Sequence, residues 1–163
     1  MRPKAIKIWQ ASEVKLSYKT KIPLEKSPII RCSKDAYELF LESWDEDTLD
    51  LIEEFKVVLM DRKCTAIATM LVGQGGFDTV MVDARLIFTA ALKKRAHGMI
   101  VCHNHPSGVC QPSKSDIEMT KHLCQIGELL NIKIYDHVII SRKDHFSLAD
   151  NGQITFKSHY LSC

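Results

Sequence analysis

The sequence contains no apolar run near the roughly 18 residues that a membrane-spanning helix needs, so no membrane partner is expected. Its basic start, Met1-Arg2-Pro3-Lys4, is followed by no apolar stretch of the signal-peptide kind. The expected setting is cytoplasmic. None of the six cysteines (Cys32, Cys64, Cys102, Cys110, Cys124 and Cys163) pair as C-x-x-C, and in a cytosolic chain they read as reduced thiols. An excess of one charge is also missing: 22 Lys and Arg against 20 Asp and Glu leave a formal +2. A dedicated nucleic-acid binder usually shows a basic stripe and a more basic balance. Neither internal repeats nor low-complexity segments occur. The H-x-E and P-C-x-x-C pair of zinc deaminases is absent as well.

What is present is an ordinary globular chain. Its 163 residues are 45% hydrophobic and 26% charged, enough for one domain with a real core. Residues 1–44 read as an N-terminal arm and helix, 45–150 as the main domain and 151–163 as a tail. In the arm, Ile6 and Ile8 alternate as an edge strand would. Ser33 is placed to cap a helix with Tyr37, Phe40, Leu41 and Trp44 as its apolar stripe. A strand is expected from near Glu53 to Asp61, a second from Cys64 to Val72, and a short one over 77–82. The Gly73-x-Gly75-Gly76 stretch opens no helix and so is a loop rather than a phosphate cradle.

Asp83 should cap a helix reaching about Ala96, with Leu86, Ile87, Ala90 and Ala91 on one face and Gly98 past its end. Met99 to Cys102 forms a fully apolar strand, as inside a sheet. The next helix runs from about Ser115 to Leu130, with Ile117, Thr120, Cys124 and Leu130 inward. Strands over 132–140 and from Phe146 onward close the domain. This order predicts an α/β domain with a mixed sheet.

The chemistry lies in the stretch from Cys102 to Asp116. His103 and His105 leave the end of a buried strand, and residues i and i+2 of an extended chain point to the same side. Both imidazoles can therefore reach one ion, while Asn104 and Cys102 face away. Pro106 stops the strand and Gly108 lets the chain turn. Asp116 sits in the first turn of the next helix, from which its carboxylate can swing back. Two His and one Asp suit Zn²⁺ with a fourth position open to water, whose pKa such an ion lowers to about 7. Alone, an H-x-H pair is a weak signal, and Ser113-x-x-Asp116 can be a plain helix cap. Together, after a buried strand, they point to a metal site.

The spacing His-x-His, seven residues, Ser, two residues, Asp is the JAMM (MPN+) metalloprotease signature. The fuller string His103-Asn104-His105-Pro106-Ser107-Gly108, with Pro112-Ser113-x-x-Asp116 behind it, resembles the bacterial RadC family of JAB-domain proteins, named for DNA repair. The flanks agree: Glu53-Glu54-Phe55 precedes an apolar strand ending in Asp61, and Asp136-His137 precedes another. The resemblance covers about residues 45–150, and the arm carries no sign of the helix-hairpin-helix segment of many longer relatives. It implies a cytidine-deaminase-like α/β fold with flanking helices. It also implies that His103, His105 and Asp116 are zinc ligands, that Ser113 supports the bound water or the oxyanion, and that an upstream glutamate carries the proton.

Two residues compete for that last role. On a strand Glu53 shares a face with Phe55, Val57 and Leu59, whereas Glu54 lines up with Lys56. The more apolar face, where burial raises a carboxylate pKa, and the family pattern both favour Glu53. Glu54 stays as the competitor, with an exposed acidic strand start as its plain reading. His137 and Asp136 are open between a pair supporting the metal site and a core polar pair.

The functional expectation is a zinc-dependent hydrolase acting on a peptide or isopeptide. The competing expectation is an accessory protein of DNA repair or mobile elements whose metal site is structural or vestigial. Nucleic acid would be the partner in that reading, but the charge balance does not favour it, and the clusters Lys93, Lys94, Arg95 and Arg142, Lys143 are explained as helix-end and turn charges without it. The tripeptide His103-Asn104-His105 is no evidence for an HNH nuclease, whose namesake residues are dispersed.

Overall fold

The computed structural model describes residues 27–76 and 81–153. The expected arm strand at Ile6 and Ile8, most of the strand expected over 77–82, and residues 154–163 of the tail lie outside them. Met81 and Val82, which are described, are not in a strand.

Five strands make one sheet: β1 (Glu54–Met60), β2 (Ala66–Gln74), β3 (Gly98–Asn104), β4 (Lys133–Ile140) and β5 (His145–Ser147). The helices are α1 (Ser33–Glu42), α2 (Ala84–Lys94) and α3 (Lys114–Leu130). In space the strands run β2-β1-β3-β4-β5. Only β3 and β4 are parallel, joined through α3; the other three pairs are antiparallel. The sheet is thus mixed, as expected.

Alternation along the strands sorts the core into two. Phe55, Val57 and Leu59 of β1, with Met99 and Val101 of β3, pack under Ile87, Phe88 and Ala91 of α2 and Leu123 of α3. Val58 and Met60, with Ile100 and Cys102, pack on the other side against Ala36 and Phe40 of α1 and against Trp44. The order is therefore α1, sheet, α2 with α3, and the sheet is covered on both faces.

Several local expectations are corrected. Cys32, not Ser33, is the N-cap of α1, and Ser33 is buried in its first turn. No side chain caps the first turn; Asp35 reaches back past the cap to accept from the Arg31 N–H at 2.8 Å. Asp83 does cap α2, accepting from the Arg85 N–H. Phe88 rather than Leu86 joins the inward face; Leu86 is 55% exposed. Helix α2 ends at Arg95 in the left-handed region, so Gly98 is not its stop signal. Gly98 opens β3 beneath the Tyr135 ring, where a Cβ would collide with that ring. On α3, Leu123 and Gly127 face inward with Thr120, and Leu130 is partly exposed. Cys64, Cys102, Cys110 and Cys124 are free thiols, in line with the reduced reading, whereas Cys32 is disulfide-bonded. Among the described residues no helix is long and apolar enough to cross a membrane.

Candidate metal centre

The carboxyl end of β3 and the amino end of α3 meet at one point. Alternation places His103 on the Val101 side, where it stacks on Phe55 with centroids 6.2 Å apart. Beyond it the chain turns back through Pro106-Ser107-Gly108, closed by the Gly108 N–H donating to the His105 carbonyl at 2.9 Å. Gly108, the last residue of that turn, takes a φ of +80° that a glycine adopts freely. The turn brings the Val109 carbonyl to His105 Nδ1 at 2.6 Å. A carbonyl only accepts, so Nδ1 of His105 carries the proton and Nε2 faces inward.

Asp116 arrives from α3. The Ser113 N–H and hydroxyl both donate to its Oδ2 at 2.7 Å, and the Asp116 N–H returns a bond to Ser113 Oγ at 3.2 Å. This capping box fixes the carboxylate and leaves Oδ1 directed at His103. Ser115 Oγ lies 2.7 Å from Ser113 Oγ. Burial pushes the Asp116 carboxyl up, but its neighbours His103 and Ser113 outweigh this and hold it below the usual carboxylate range.

The three groups converge. His103 Nε2 lies 2.9 Å from His105 Nε2 and 3.4 Å from Asp116 Oδ1, and His105 Nε2 lies 3.8 Å from Asp116 Oδ2. All three ligand atoms fall within 4.8 Å of one another. The edges of a tetrahedron with zinc–ligand bonds of 2.0–2.1 Å are about 3.3 Å, and the separations of His103 Nε2 from His105 Nε2 at 2.9 Å and from Asp116 Oδ1 at 3.4 Å lie near that length. Two ring nitrogens and a carboxylate aimed at one point repel unless a proton or a cation lies between them. The donor set therefore fits a divalent metal.

A third imidazole supports the first. His137 of β4 is fully buried, its Nε2 2.7 Å from His103 Nδ1 and its Nδ1 2.6 Å from the Thr120 hydroxyl. Burial, and then the neighbouring His103, push the His137 pKa well below the ordinary histidine value. Sequence reasoning paired His137 with Asp136 and treated Thr120 only as an inward-facing position. In the structure that pair divides: Asp136 accepts from the Ser147 hydroxyl at 2.6 Å and from the Ala149 and His137 N–H groups. Consecutive strand residues face opposite ways, which divides the pair, and a β-bulge before them decides which face each takes, because pairing with β3 passes from Met99↔Ile134 to Ile100↔Asp136 and skips Tyr135. The extra residue shifts the alternation, so Ile134 and Ile139 share one core although five positions apart. Only a turn signal or an aligned pair could have located that shift, and the apolar run 132–140 has neither.

The two glutamates separate clearly. Glu54 is buried, not an exposed strand start: its Oε1 accepts from Gln74 at 2.6 Å and its Oε2 lies 3.4 Å from Lys56 Nζ. Lys56 in turn sits 4.0 Å over the Trp44 ring and donates to the Ser43 carbonyl, which anchors Glu54 on the α1 side. Glu53 lies one residue before β1 and is 8% exposed. Its backbone pairs with Gly75 and Gly76, the loop after β2. Phe55 pairs with His103 in the antiparallel β1–β3 register, and continuing that register by two residues sets Glu53 opposite His105.

Outside the centre, Arg142 is engaged by Asp50 at 2.8 Å and by the Glu46 carbonyl, so it is no free cation for a nucleic acid. Lys93 and Lys94 fill the last turn of α2, where cations suit the helix dipole. Cys102 points to the α1 side, and Cys110 bonds the Asp144 carbonyl. Neither belongs to the converging set.

Comparison with known proteins agrees with this architecture. The RadC-like JAB domain matches residues 30–153. A UPF0758 protein of Syntrophomonas wolfei is 37% identical over 152 residues, covering 93% of this chain and 64% of its own length. One from Caldanaerobacter subterraneus is 37% identical over 129 residues, covering 74% of this chain and 55% of its own. Another, from Flavobacterium johnsoniae, is 40% identical over 100 residues, or 61% and 44% of the two chains. The chain thus spans about half the length of the curated relatives it matches. A mixed sheet flanked by helices, a match over most of its length and these relatives together place the chain in the family of RadC-like JAB domains.

Proposed function

We propose that this domain is a zinc-dependent hydrolase of peptide or isopeptide bonds. The observation that carries the reading is the convergence of His103 Nε2, His105 Nε2 and Asp116 within 4.8 Å, beside a fully buried third imidazole. These three residues would hold the ion. When bound, Zn²⁺ supplies a Lewis acid and a water acidic enough to be deprotonated near neutral pH.

The chain's own residues do the rest. Glu53, on the Phe55 side of β1, takes the proton of the attacking water and delivers it to the leaving amine. Water thus adds across the C–N bond, giving a carboxylate and an amine. Ser113 has two roles in this reading: its hydroxyl proton goes to Asp116 and holds that ligand, and the same hydroxyl, turned away from Asp116 during the reaction, would donate to the developing oxyanion. Glu54, held by Lys56 and Gln74, takes no part.

The test is metal content. The purified chain should carry about one Zn²⁺, and His105→Ala should lose most of it. Equal zinc in the wild type and in a variant with His103, His105 and Asp116 all changed to Ala would remove the metal site and the mechanism with it.

A further inference from the structure

The buried contacts behind His103 form a chain of single protons whose direction is set at its far end. The Thr120 hydroxyl lies 2.6 Å from the Asp116 carbonyl, which can only accept. Its one proton therefore goes there. The same oxygen lies 2.6 Å from His137 Nδ1, so it must accept from that nitrogen, and Nδ1 of His137 is protonated. The ring is fully buried, with an edge-on Phe55 ring 5.7 Å away, and the Asp136 carboxylate beside it is engaged by Ser147 and Ala149. A second proton would put a charge on a ring cut off from water, so Nε2 of His137 is bare. It lies 2.7 Å from His103 Nδ1, which must then be the donor.

We infer that Thr120 and His137 form a proton-ordered relay that fixes His103 in its Nδ1–H form and keeps its Nε2 available to the metal. The inference rests on the metal reading for its purpose but not for its geometry. Thr120 and His137 are positioning residues: neither belongs to the converging ligand set, and they act through His103. The carbonyl that sets the direction belongs to Asp116, itself a proposed ligand, so the helix turn that delivers the carboxylate also orients the imidazole opposite. Without the Thr120 hydroxyl, His137 can invert, donate from Nε2 and turn His103 so that its proton faces the metal position.

Thr120→Val keeps the volume and removes only the hydroxyl, while Thr120→Ser restores it. Zinc affinity, measured by chelator competition on chains shown by circular dichroism to be folded, should fall about 10–100-fold in the Val variant and return in the Ser variant. A folded Thr120→Val chain that binds zinc as the wild type does would overturn the relay. The ¹⁵N shifts of the imidazoles in the metal-free wild type give an independent reading that needs no variant to fold. They should show His137 protonated at Nδ1 and bare at Nε2; the opposite tautomer would overturn the proposal. A wild type that binds no zinc but shows these tautomers would remove the metal reading and leave the relay standing.

Discussion

His103 and Asn104 end the same strand, are both wholly buried, and point to opposite faces of the sheet. On the α1 side every polar atom of Asn104 is used. Its amide donates to the Leu49 and Ile52 carbonyls at 2.6 and 2.8 Å, and its oxygen accepts from the Glu54 N–H at 2.7 Å. On the other side His103 has a partner for Nδ1, but its Nε2 faces another ring nitrogen and a carboxylate. A buried polar group with complementary partners is scaffolding; acceptors that face one another need a proton or a cation between them. The two are connected, because Asn104 holds residues 49–54 and with them the backbone that carries Glu53.

The largest expected effect sharpens the contrast between the two glutamates. Glu53→Gln keeps shape but removes the proton acceptor, so it should retain zinc and lose about 10²–10⁴-fold in hydrolysis. Glu54→Gln loses its pairing with Lys56 and should melt lower with turnover little changed. Turnover and zinc content of both variants check this. If Glu54→Gln alone abolishes hydrolysis, the proton carrier lies on the α1 side and the division of the two faces fails.

Asn104→Ala breaks the scaffolding face. It strands two carbonyls and one N–H that now have partners, at a cost of about 2–4 kcal/mol in unfolding free energy. Because the ligands lie on the other face, zinc stoichiometry should survive in the folded fraction. Denaturant unfolding checks the first point and metal analysis the second. A variant as stable as the wild type would show that the Asn104 bonds tie nothing down.

Which parts of this were legible in the sequence follows from distance along the chain. The converging set was readable because its parts obey local rules: His103 and His105 share a strand face, and Asp116 follows three residues after a serine at a helix start. Alternation also separated Glu53 from Glu54, since β1 runs regularly from Phe55 through Leu59. His137 was not readable as a neighbour of His103. The two lie 34 positions apart, and the bulge at Tyr135 interrupts the alternation between them and the strand start. Leu86 and Phe88 exchanged places because one helical face was judged from residue type alone, whereas the packing of α2 on the sheet chose Ile87, Phe88 and Ala91. The burial of Glu54 depended on Trp44 and Gln74, both remote in sequence.

Ser113 lies where the two kinds of polar group meet, since it caps α3 and also holds Asp116. Ser113→Ala should lower stability by about 1 kcal/mol through the lost cap. If its hydroxyl also serves the oxyanion, turnover should fall roughly 10²-fold at temperatures well below melting. Melting and rate measured on the same preparation separate the two. A lowered melting point with unchanged turnover would make Ser113 a cap and ligand holder only.

The smallest effect concerns Asp136, which precedes His137 in β4 but is turned toward Ser147. Burial pushes its carboxyl up to about 7, against three donors that favour the charged form. A carboxyl whose pKa is higher folded than unfolded holds its proton more firmly in the native state. Its contribution is therefore full below about pH 4, the ordinary carboxylate value, and is lost as pH rises toward 7. Asp136→Asn resembles the protonated acid: its oxygen can accept from the two N–H groups and its amide can donate to Ser147. The wild type should therefore lose stability relative to Asp136→Asn between pH 5 and about 7, with the difference flat above about pH 8. Comparing the two chains cancels the histidines, which titrate in both. A difference that stays constant from pH 5 to 8 would mean that the three donors prevail over burial and that Asp136 is an ionised staple, satisfied in the same way as Asn104.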